Sequence, residues 1–270
     1  MNKLAFVFSG PGSQYPGMGR ELFENFESAR TVYECAHDIL GFDIAKLSFE
    51  GDAATLAQTK ISQPAIYAVS MAAYSVVSEL CEPEAVAGHS LGEYAALTAA
   101  GAFSLEDGFK MIAARGAAMQ RAADRNPGSM FAIMGSDEET IARVCRETAG
   151  YVLPVNYNNA TQTVIAGESA AAQAAADTLA GMGFRTTKLA VSSAFPSKLM
   201  SSAAEEFSEA IAGVRMNPLC IPFYSNLTGH MLPADADLHE YLVKHLISPV
   251  HFHEEVRGMV AEGINLFIEL

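Results

Sequence analysis

The stretch EAVAGHSLGEYAAL, residues 84–97, places a serine between two glycines where a short apolar strand pattern changes to a helix pattern. This GxSxG arrangement is typical of a nucleophile elbow, in which Gly88 and Gly92 leave room for a sharp turn that exposes the Oγ of Ser90. The five-residue pattern is weak evidence alone, but the strand before it and the helix after it are the context that the turn requires. The helix also directs free backbone N–H groups towards Ser90, so the N–H of Leu91 is predicted to bind a developing oxyanion. The sequence therefore predicts a serine nucleophile for acyl transfer.

Strand and helix patterns alternate on both sides of this turn, which favours a parallel sheet covered on both faces. After a turn cluster at residues 126–128, shorter elements follow in the order βαββαβ, which is that of a ferredoxin-like subdomain. Parallel strands are predicted again at IPFYSN and INLFIEL. We therefore predict an α/β fold with an α/β-hydrolase-like large domain, residues 1–126 and 194–270, and an inserted ferredoxin-like subdomain, residues 127–193.

Local signals predict where individual helices begin. A buried helix is expected from Gln63 onward, near Pro64, because proline is favoured in a first helical turn. The capping box Ser136-x-x-Glu139 predicts the start of the first subdomain helix. The stretch ELFENFESARTVYECAHDIL, residues 21–40, is predicted to form one helix.

Composition excludes several classes of function. The N-terminal apolar run is too short for a signal peptide, and the longest apolar stretch, residues 65–77, is too short for a membrane span, so a cytoplasmic protein is expected. A formal net charge of -14 disfavours binding to nucleic acid. The four cysteines lie far apart without a CxxC motif, which argues against a zinc site and a disulfide framework, and we predict no metal.

Five motifs occur in an order and at a spacing that resemble those of malonyl-CoA:acyl carrier protein transacylases: FSGPGSQYPGMG, GHSLGEY, ARGAAMQ, AFPSKLM and SNLTG. The resemblance covers essentially the whole chain. It implies that Ser90 accepts a malonyl group from malonyl-CoA, and that the phosphopantetheine thiol of acyl carrier protein then attacks the acyl-serine, in fatty acid or polyketide biosynthesis. Acyl carrier protein and a coenzyme A thioester are thus the expected partners. No cofactor of its own is expected, and a monomer is the default.

The resemblance also implies residues that select the acyl group. Arg115 matches the arginine that holds the malonyl carboxylate, a role that suits the bidentate fork of a guanidinium. Phe195 matches an aromatic residue that disfavours a methyl branch, although a core phenylalanine is an equal interpretation. Met119, in the same segment as Arg115, is predicted to bind substrate as well.

Two prolines depart from the pattern that the resemblance implies. Pro196 stands where the family has the histidine that serves as the general base, and proline has no titratable group. Pro11 stands where the family has a glutamine whose backbone N–H is the second oxyanion donor, and proline has no N–H. These changes imply slow turnover, and they support an alternative: a catalytically impaired or non-catalytic relative that binds acyl carrier protein or acyl-CoA. A further departure is that the family continues beyond the position of Leu270, so the chain is interpreted as shortened.

Other histidines offer few replacements for the missing base. His245 is the candidate substitute, since it lies near the backbone that orients the family's histidine, although a surface position without a role in the reaction is the alternative. A base role for His89 is improbable, because neighbouring side chains at an elbow point in different directions. His251 and His253 lack the further ligands of a metal site.

Two other enzyme or ligand classes are disfavoured. A simple serine hydrolase has no necessary use for Arg115, and no acid–histidine pair follows Ser90. A dinucleotide site at GPGSQY lacks the third glycine. Three basic residues near the subdomain boundary, Arg185, Lys188 and Lys198, are candidates for docking the acidic carrier protein.

Overall fold

The computed structural model describes residues 2–189, 191 and 193–270. In chain order, the strands are β1 (Leu4–Phe8), β2 (Ala85–Gly88), β3 (Ser129–Met134), β4 (Val152–Asn159), β5 (Gln162–Gly167), β6 (Arg185–Lys188) and β7 (Leu266–Glu269). The helices are α1 (Arg20–Asn25), α2 (Glu27–Leu40), α3 (Ile44–Glu50), α4 (Ala53–Leu56), α5 (Thr59–Val77), α6 (Gly92–Ala99), α7 (Leu105–Arg125), α8 (Glu138–Glu147), α9 (Ser169–Gly181), α10 (Ser201–Ile211), α11 (Leu238–His245) and α12 (Phe252–Ala261). A 3₁₀ turn, Lys198–Met200, precedes α10.

A parallel sheet carries the elbow, with its strands in the order β2–β1–β7. Phe6 and Phe8 of β1 are buried in a large core shared with helices α2, α5, α6, α7 and α10. Ala5 faces the opposite side, where it packs with Met259 of α12. Alternate residues of β1 are therefore buried on both faces, as expected for a parallel sheet covered by helices. The predicted α/β class is confirmed.

The second sheet is antiparallel, in the order β4–β5–β3–β6. Helices α8 and α9 pack on it through a separate core that contains Phe131, Ile165 and Leu179. The connection order βαββαβ with this strand order is the predicted ferredoxin-like arrangement, which is confirmed. The strand predicted at RTTKLAVSS is observed only as β6, and Ala190 and Ser192 of that stretch lie outside the described residues. The exact domain boundaries stay a prediction.

Several helix predictions were wrong in detail. Helix α5 begins at Thr59, so Pro64 lies inside it, where its ring removes the N–H that would donate to the carbonyl of Lys60. Helix α8 is capped by Asp137, whose side chain accepts the N–H of Thr140, and not by Ser136. The extended backbone of Phe26, with φ -127° and ψ 128°, divides the helix predicted over residues 21–40 into α1 and α2.

The strand predicted at IPFYSN is reduced to isolated bridges. Phe223 pairs with Val86 of β2, and Tyr224 pairs with Met231. The chain leaves the sheet edge directly after these bridges, which brings Ser225 and Asn226 under the elbow. Within the part of the chain that the structure describes, no helix is both long and apolar enough to cross a membrane.

Candidate active site

The nucleophile elbow forms where β2 runs into α6. Ser90 has a positive φ of 53°, a left-handed backbone conformation that costs a non-glycine residue on the order of 1 kcal/mol or more. A Cβ on Gly88 would overlap the carbonyl carbon of Gly92, and a Cβ on Gly92 would overlap the backbone oxygen of Phe8. Close backbone contacts thus require glycine at both positions. The tight turn holds Ser90 just before the N-terminus of α6.

The backbone amides around the elbow are not equivalent. The N–H of Ser90 donates to Oδ1 of Asn226 at 2.7 Å, and the N–H of Gly92 donates to the backbone oxygen of His89 at 3.0 Å. The N–H of Glu93 donates to the backbone oxygen of Ser90. The amide of Leu91 lies between these engaged groups at the N-terminus of α6. Within the described residues it is the elbow amide without a hydrogen bond, and its oxyanion role stays a prediction.

Arg115 reaches Ser90 from helix α7. Its Nη2 donates to Oγ of Ser90 at 3.4 Å, and its Nη1 donates to Oε1 of Gln63 at 2.7 Å. The guanidinium is buried and lies 5.4 Å from the ring centroid of Tyr94. Burial lowers the pKa of Arg115, while the nearby Tyr94 and Glu93 oppose that shift. The site therefore places a buried positive charge beside the nucleophile.

The Ser90 hydroxyl opens into a cavity of about 380 Å³. Gln63, His89, Pro11, Phe195 and Pro196 are among the residues that line it. A second, outer hollow of about 690 Å³ shares part of this wall, Phe195 included, and is also lined by residues Met119 and Lys188. A cavity of this size is in the range of small-molecule sites. The predicted residues Pro11, Ser90, Phe195 and Pro196 thus meet at one cavity, and Arg115 reaches the same point through Ser90.

Met119 contacts this site indirectly. Its side chain is buried, and its Sδ accepts a hydrogen bond from Nε2 of Gln63 at 3.3 Å. Because Oε1 of the same Gln63 side chain accepts from Arg115, Met119 helps to fix the orientation of the amide that holds the guanidinium. Its predicted contact with substrate stays a prediction.

The two prolines lie where the sequence indicated, beside Ser90. Neither supplies a proton acceptor or a donor, and next to Pro11 the N–H of Gly12 is engaged by Oε1 of Gln14 at 2.8 Å. The side chain that contacts Oγ of Ser90 is the Arg115 guanidinium, which only donates hydrogen bonds. Proton acceptance from Ser90 is therefore the weakest part of the arrangement.

His245 is not placed beside the Ser90 hydroxyl. It is buried, with its Nε2 lying 3.2 Å from Oε2 of Glu93 and 3.3 Å from Oδ1 of Asn226. Burial lowers the pKa of His245 well below its usual range, and the charges of Arg115 and His89 lower it further. The structure thus connects His245 to Ser90 indirectly, through Asn226 and Glu93, and its role as a substitute base stays a prediction without a direct contact.

The remaining histidines have other contacts. Nε2 of His89 lies 2.8 Å from Oδ1 of Asn158, and burial lowers the pKa of His89. His251 stacks on Tyr157 with ring centroids 4.9 Å apart. Across residues 2–189, 191 and 193–270, no group of three or more metal-ligating side chains is brought together.

Three residues in contact with the site were missed in the sequence. Gln63 was considered only as the start of a helix, Glu93 only as part of the elbow motif, and Asn226 only as part of SNLTG. Asn226 lies 136 residues from Ser90 along the chain, so only the folded structure shows their contact. The sequence signal that could have indicated these three residues is that each is a polar residue within an otherwise largely apolar segment.

Comparisons with known proteins were made over the whole chain. The family described as an acyl transferase domain matches residues 5–270. The chain is similar to the malonyl CoA-acyl carrier protein transacylase of Bacillus subtilis (strain 168), with 37% identity over 275 residues, covering 100% of this chain and 87% of the relative. The corresponding protein of Haemophilus influenzae is 36% identical, covering 100% of this chain and 88% of the relative.

Solved structures show the same likeness. The structure of malonyl CoA-acyl carrier protein transacylase from Clostridium perfringens superposes with a TM-score of 0.95 at 34% identity, covering 99% of this chain and 86% of that one. A malonyl-transacylase solved in complex with a type II PKS acyl-carrier protein superposes with a TM-score of 0.94 at 35% identity, covering 99% and 88%.

Proposed function

Because this chain belongs to the malonyl CoA-acyl carrier protein transacylase family, we propose that it transfers a malonyl group from malonyl-CoA to the phosphopantetheine thiol of acyl carrier protein. The acyl group is carried in between on Oγ of Ser90. The observation that carries this proposal is the 3.4 Å contact between Nη2 of Arg115 and Oγ of Ser90. It pairs a nucleophile with a cation, as a reaction on a carboxylate-bearing acyl group requires.

The electrostatics of Arg115 support a malonyl group over a neutral one. Burial raises the pKa of Glu93 to about 8, so this neighbour of the guanidinium is largely protonated at neutral pH. Within the described residues, Arg115 forms no ion pair, and its hydrogen-bond partners Gln63 and Ser90 are uncharged. A buried cation without an ionised partner is costly, and a bound carboxylate offsets that cost.

Acyl transfer then follows from the geometry of the elbow. As the bond from Oγ of Ser90 to the thioester carbon forms, the carbon–sulfur bond breaks. Coenzyme A leaves as its thiol, because the proton lost by Ser90 is transferred to the departing sulfur. The carbonyl oxygen is stabilised by the N–H of Leu91 and the positive end of α6. Attack by the carrier thiol reverses these steps on the second substrate and frees Ser90.

Shape supports the same assignment. The inner cavity at Ser90 accommodates the acyl group, and the outer hollow at residues Met119 and Lys188 accommodates the pantetheine arm that either coenzyme A or the carrier protein brings. Phe195 lines both spaces. We assign its aromatic ring a part in acyl selection.

A relative that binds carrier protein without turnover is less favoured. Pro11 and Pro196 remove groups that would assist the reaction, but the nucleophile, the Leu91 amide and Arg115 are all present. The relatives and solved structures that match over nearly the whole chain are named as transacylases. The proposal therefore includes catalysis, with proton transfer as the slow process. It also includes a cytoplasmic, monomeric enzyme without a metal or cofactor of its own.

Acid-stable labelling tests the proposal. The chain is incubated with radiolabelled malonyl-CoA, acid-quenched, and examined for protein-bound label; holo acyl carrier protein is then added to remove that label. Label is expected on the unmodified chain and on Ser62→Ala, which changes another serine of the cavity wall, but not on Ser90→Ala. Label that persists in Ser90→Ala, or no label on the unmodified chain after long incubation, would contradict the proposal.

A further inference from the structure

Asn226 lies directly beneath the elbow and is fully buried. Its Oδ1 accepts the N–H of Ser90 at 2.7 Å, and its Nδ2 donates to the backbone oxygen of Gly88 at 2.7 Å. These two backbone groups stand on either side of His89. One side chain thus bridges the peptide units that enter and leave the turn.

The contacts of the Asn226 amide fix its orientation. Nδ2 also donates to Oε1 of Glu255 at 2.6 Å, and Oδ1 lies 3.3 Å from Nε2 of His245. With the amide reversed, its oxygen would face the oxygens of Gly88 and Glu255, and its NH₂ would face the Ser90 N–H. In the observed orientation, both N–H groups of Nδ2 have acceptors and Oδ1 accepts the N–H of Ser90, so donor and acceptor are each matched to their partners.

The backbone of Asn226 is held as firmly as its side chain. Its N–H donates to Oε1 of Glu93 at 2.6 Å, and its carbonyl oxygen accepts the N–H of His251 at 2.8 Å. Glu93, His245 and Glu255 are all buried and belong to α6, α11 and α12. Residues of three helices therefore hold one buried amide in place.

Two consequences follow for Ser90. The hydrogen bond to its N–H compensates for the unfavourable φ of 53°, which persists only where surrounding contacts determine it. By engaging the Ser90 amide, Asn226 also leaves the amide of Leu91 as the elbow donor for an oxyanion. Oγ of Ser90, Nη2 of Arg115 and the Leu91 amide are thereby kept in one relative arrangement.

We propose that Asn226 is the positioning residue of the nucleophile, which holds Ser90 in its reactive backbone conformation through the Gly88 and Ser90 peptide groups. It does not touch the substrate. This inference rests on the proposed function, since it concerns the same serine. It predicts that loss of the Asn226 amide lowers the reactivity of Ser90 while leaving the affinity for malonyl-CoA unchanged.

The test measures reactivity and affinity separately. Reactivity is the rate at which a fluorophosphonate labels Ser90: the Oγ–phosphorus bond forms, fluoride leaves and the serine proton is released. It reports on the serine without an acyl substrate. Affinity is the dissociation constant for malonyl-CoA, measured by calorimetry in a Ser90→Ala background with and without the Asn226 substitution. Circular dichroism confirms that each variant is folded.

For Asn226→Ala, labelling is expected to slow by about a hundredfold, the cost of a misplacement of roughly 1 Å, while the dissociation constant changes by less than about threefold. Asn226→Asp keeps an acceptor for the Ser90 N–H but loses both donated hydrogen bonds, so a decrease in labelling rate is expected there too. If Asn226→Ala does not fold, Asn226→Asp serves as the test variant in its place. The exposed Asn217, which contacts Gly101 away from the site, supplies the control Asn217→Ala, with unchanged rates expected.

A folded Asn226→Ala variant that is labelled at the unmodified rate would overturn the inference, as would a loss of malonyl-CoA affinity equal to the loss of rate. The same inference also fails if no Ser90 labelling occurs in the unmodified chain. Fluorophosphonate labelling of the unmodified chain without malonyl labelling would instead contradict the proposed function, and the fluorophosphonate rates would still decide the role of Asn226.

Discussion

Nη2 of Arg115 lies 3.4 Å from Oγ of Ser90, while Nη1 of the same guanidinium is held 2.7 Å from Oε1 of Gln63. The cation is therefore fixed on one side by a neutral amide and directed on the other at the nucleophile. An acyl group that carries a carboxylate can bind the guanidinium and present its thioester to Ser90 at the same time. The contact links substrate choice to the position of attack.

Replacing Arg115 should change acyl selection. In Arg115→Met, kcat/KM for malonyl-CoA is expected to fall about thirtyfold or more, because truncating a buried charge partner costs about 2 kcal/mol or more. Acetyl-CoA has no carboxylate, so kcat/KM for acetyl transfer should fall far less. Arg121→Met is the control on the same helix, since Arg121 is exposed and pairs with Glu206. Equal losses for the two substrates would contradict a carboxylate-binding role.

Restoring proton transfer should accelerate the enzyme. Pro196 lines the Ser90 cavity, so Pro196→His introduces a titratable group there, and general base catalysis contributes about a hundredfold to ten-thousandfold. The measurement is the rate of acyl-enzyme formation with labelled malonyl-CoA across a pH series. A gain that follows the ionisation of the new imidazole is expected. An unchanged rate in a folded Pro196→His variant would show that residue 196 does not face the reacting hydroxyl.

Replacing Pro11 should also raise the reaction rate, by adding a hydrogen-bond donor for the oxyanion. Pro11→Gln supplies a backbone N–H in the loop that lines the cavity, and one oxyanion donor is typically worth about a hundredfold in rate. Because a donor acts on the transition state, kcat should rise while the affinity for malonyl-CoA stays nearly constant. Pro16→Gln, in the same loop but outside the cavity lining, is the control. A rise in affinity without a rise in kcat would contradict an oxyanion role.

The buried Glu93 should make stability depend on pH. Burial raises its pKa from 4.5 to about 8, so between these values the folded chain holds a proton that the unfolded chain has lost. The free energy of unfolding therefore falls as pH rises through this interval, by on the order of 1 kcal/mol per pH unit for one proton. Burial also raises the pKa of Glu255, with the same sign, whereas the lowered pKa of His245 acts with the opposite sign below its unfolded pKa.

Urea unfolding is measured from about pH 7 to 8.5, and the comparison with Glu93→Gln isolates the Glu93 contribution, because the histidines and the thiols with raised pKa, Cys35 and Cys145, contribute to the slope of both chains. The slope is expected to be shallower in Glu93→Gln, which keeps the acceptor for Asn226 and cannot ionise. Glu240→Gln, at an exposed ion pair, should leave the slope unchanged. An identical slope in Glu93→Gln and the unmodified chain would show that Glu93 is ionised in the fold.

The sequence could predict the elements whose signals are local. The steric role of the two glycines around Ser90 can be recognised from the five-residue GxSxG motif alone. The βαββαβ order follows from the periodicity of the apolar residues. The start of α8 was misjudged because Ser136 and Asp137 are both good caps, and only the backbone geometry selects between them. Helix α5 extends before Pro64 because its first turns pack in the site, where Gln63 holds Arg115.

The polar network beneath the elbow could not be predicted, since its members are distant along the chain. His245 was singled out for its proximity to the missing base, but its contacts with Glu93 and Asn226 depend on how α11 packs against α6. The local sequence does not distinguish a buried histidine from a histidine that lies beside a reactive hydroxyl. Burial and contact geometry, which decide the pKa and the role, are properties of the assembled core.

Docking of acyl carrier protein should depend on Lys188. This exposed residue ends β6 at the edge of the antiparallel sheet and lines the outer hollow, which shares Phe195 with the Ser90 cavity. Carrier proteins of this kind are acidic, so Lys188→Glu is expected to raise KM for the carrier protein by about tenfold, with a smaller effect at high salt, because complementary charge steers association. The KM for malonyl-CoA and kcat should change little, which separates docking from chemistry. Lys46→Glu, on α3 outside the cavity lining, is the matched control with the same change in net charge. Equal changes in the two variants would assign the effect to net charge alone and remove Lys188 from the docking surface.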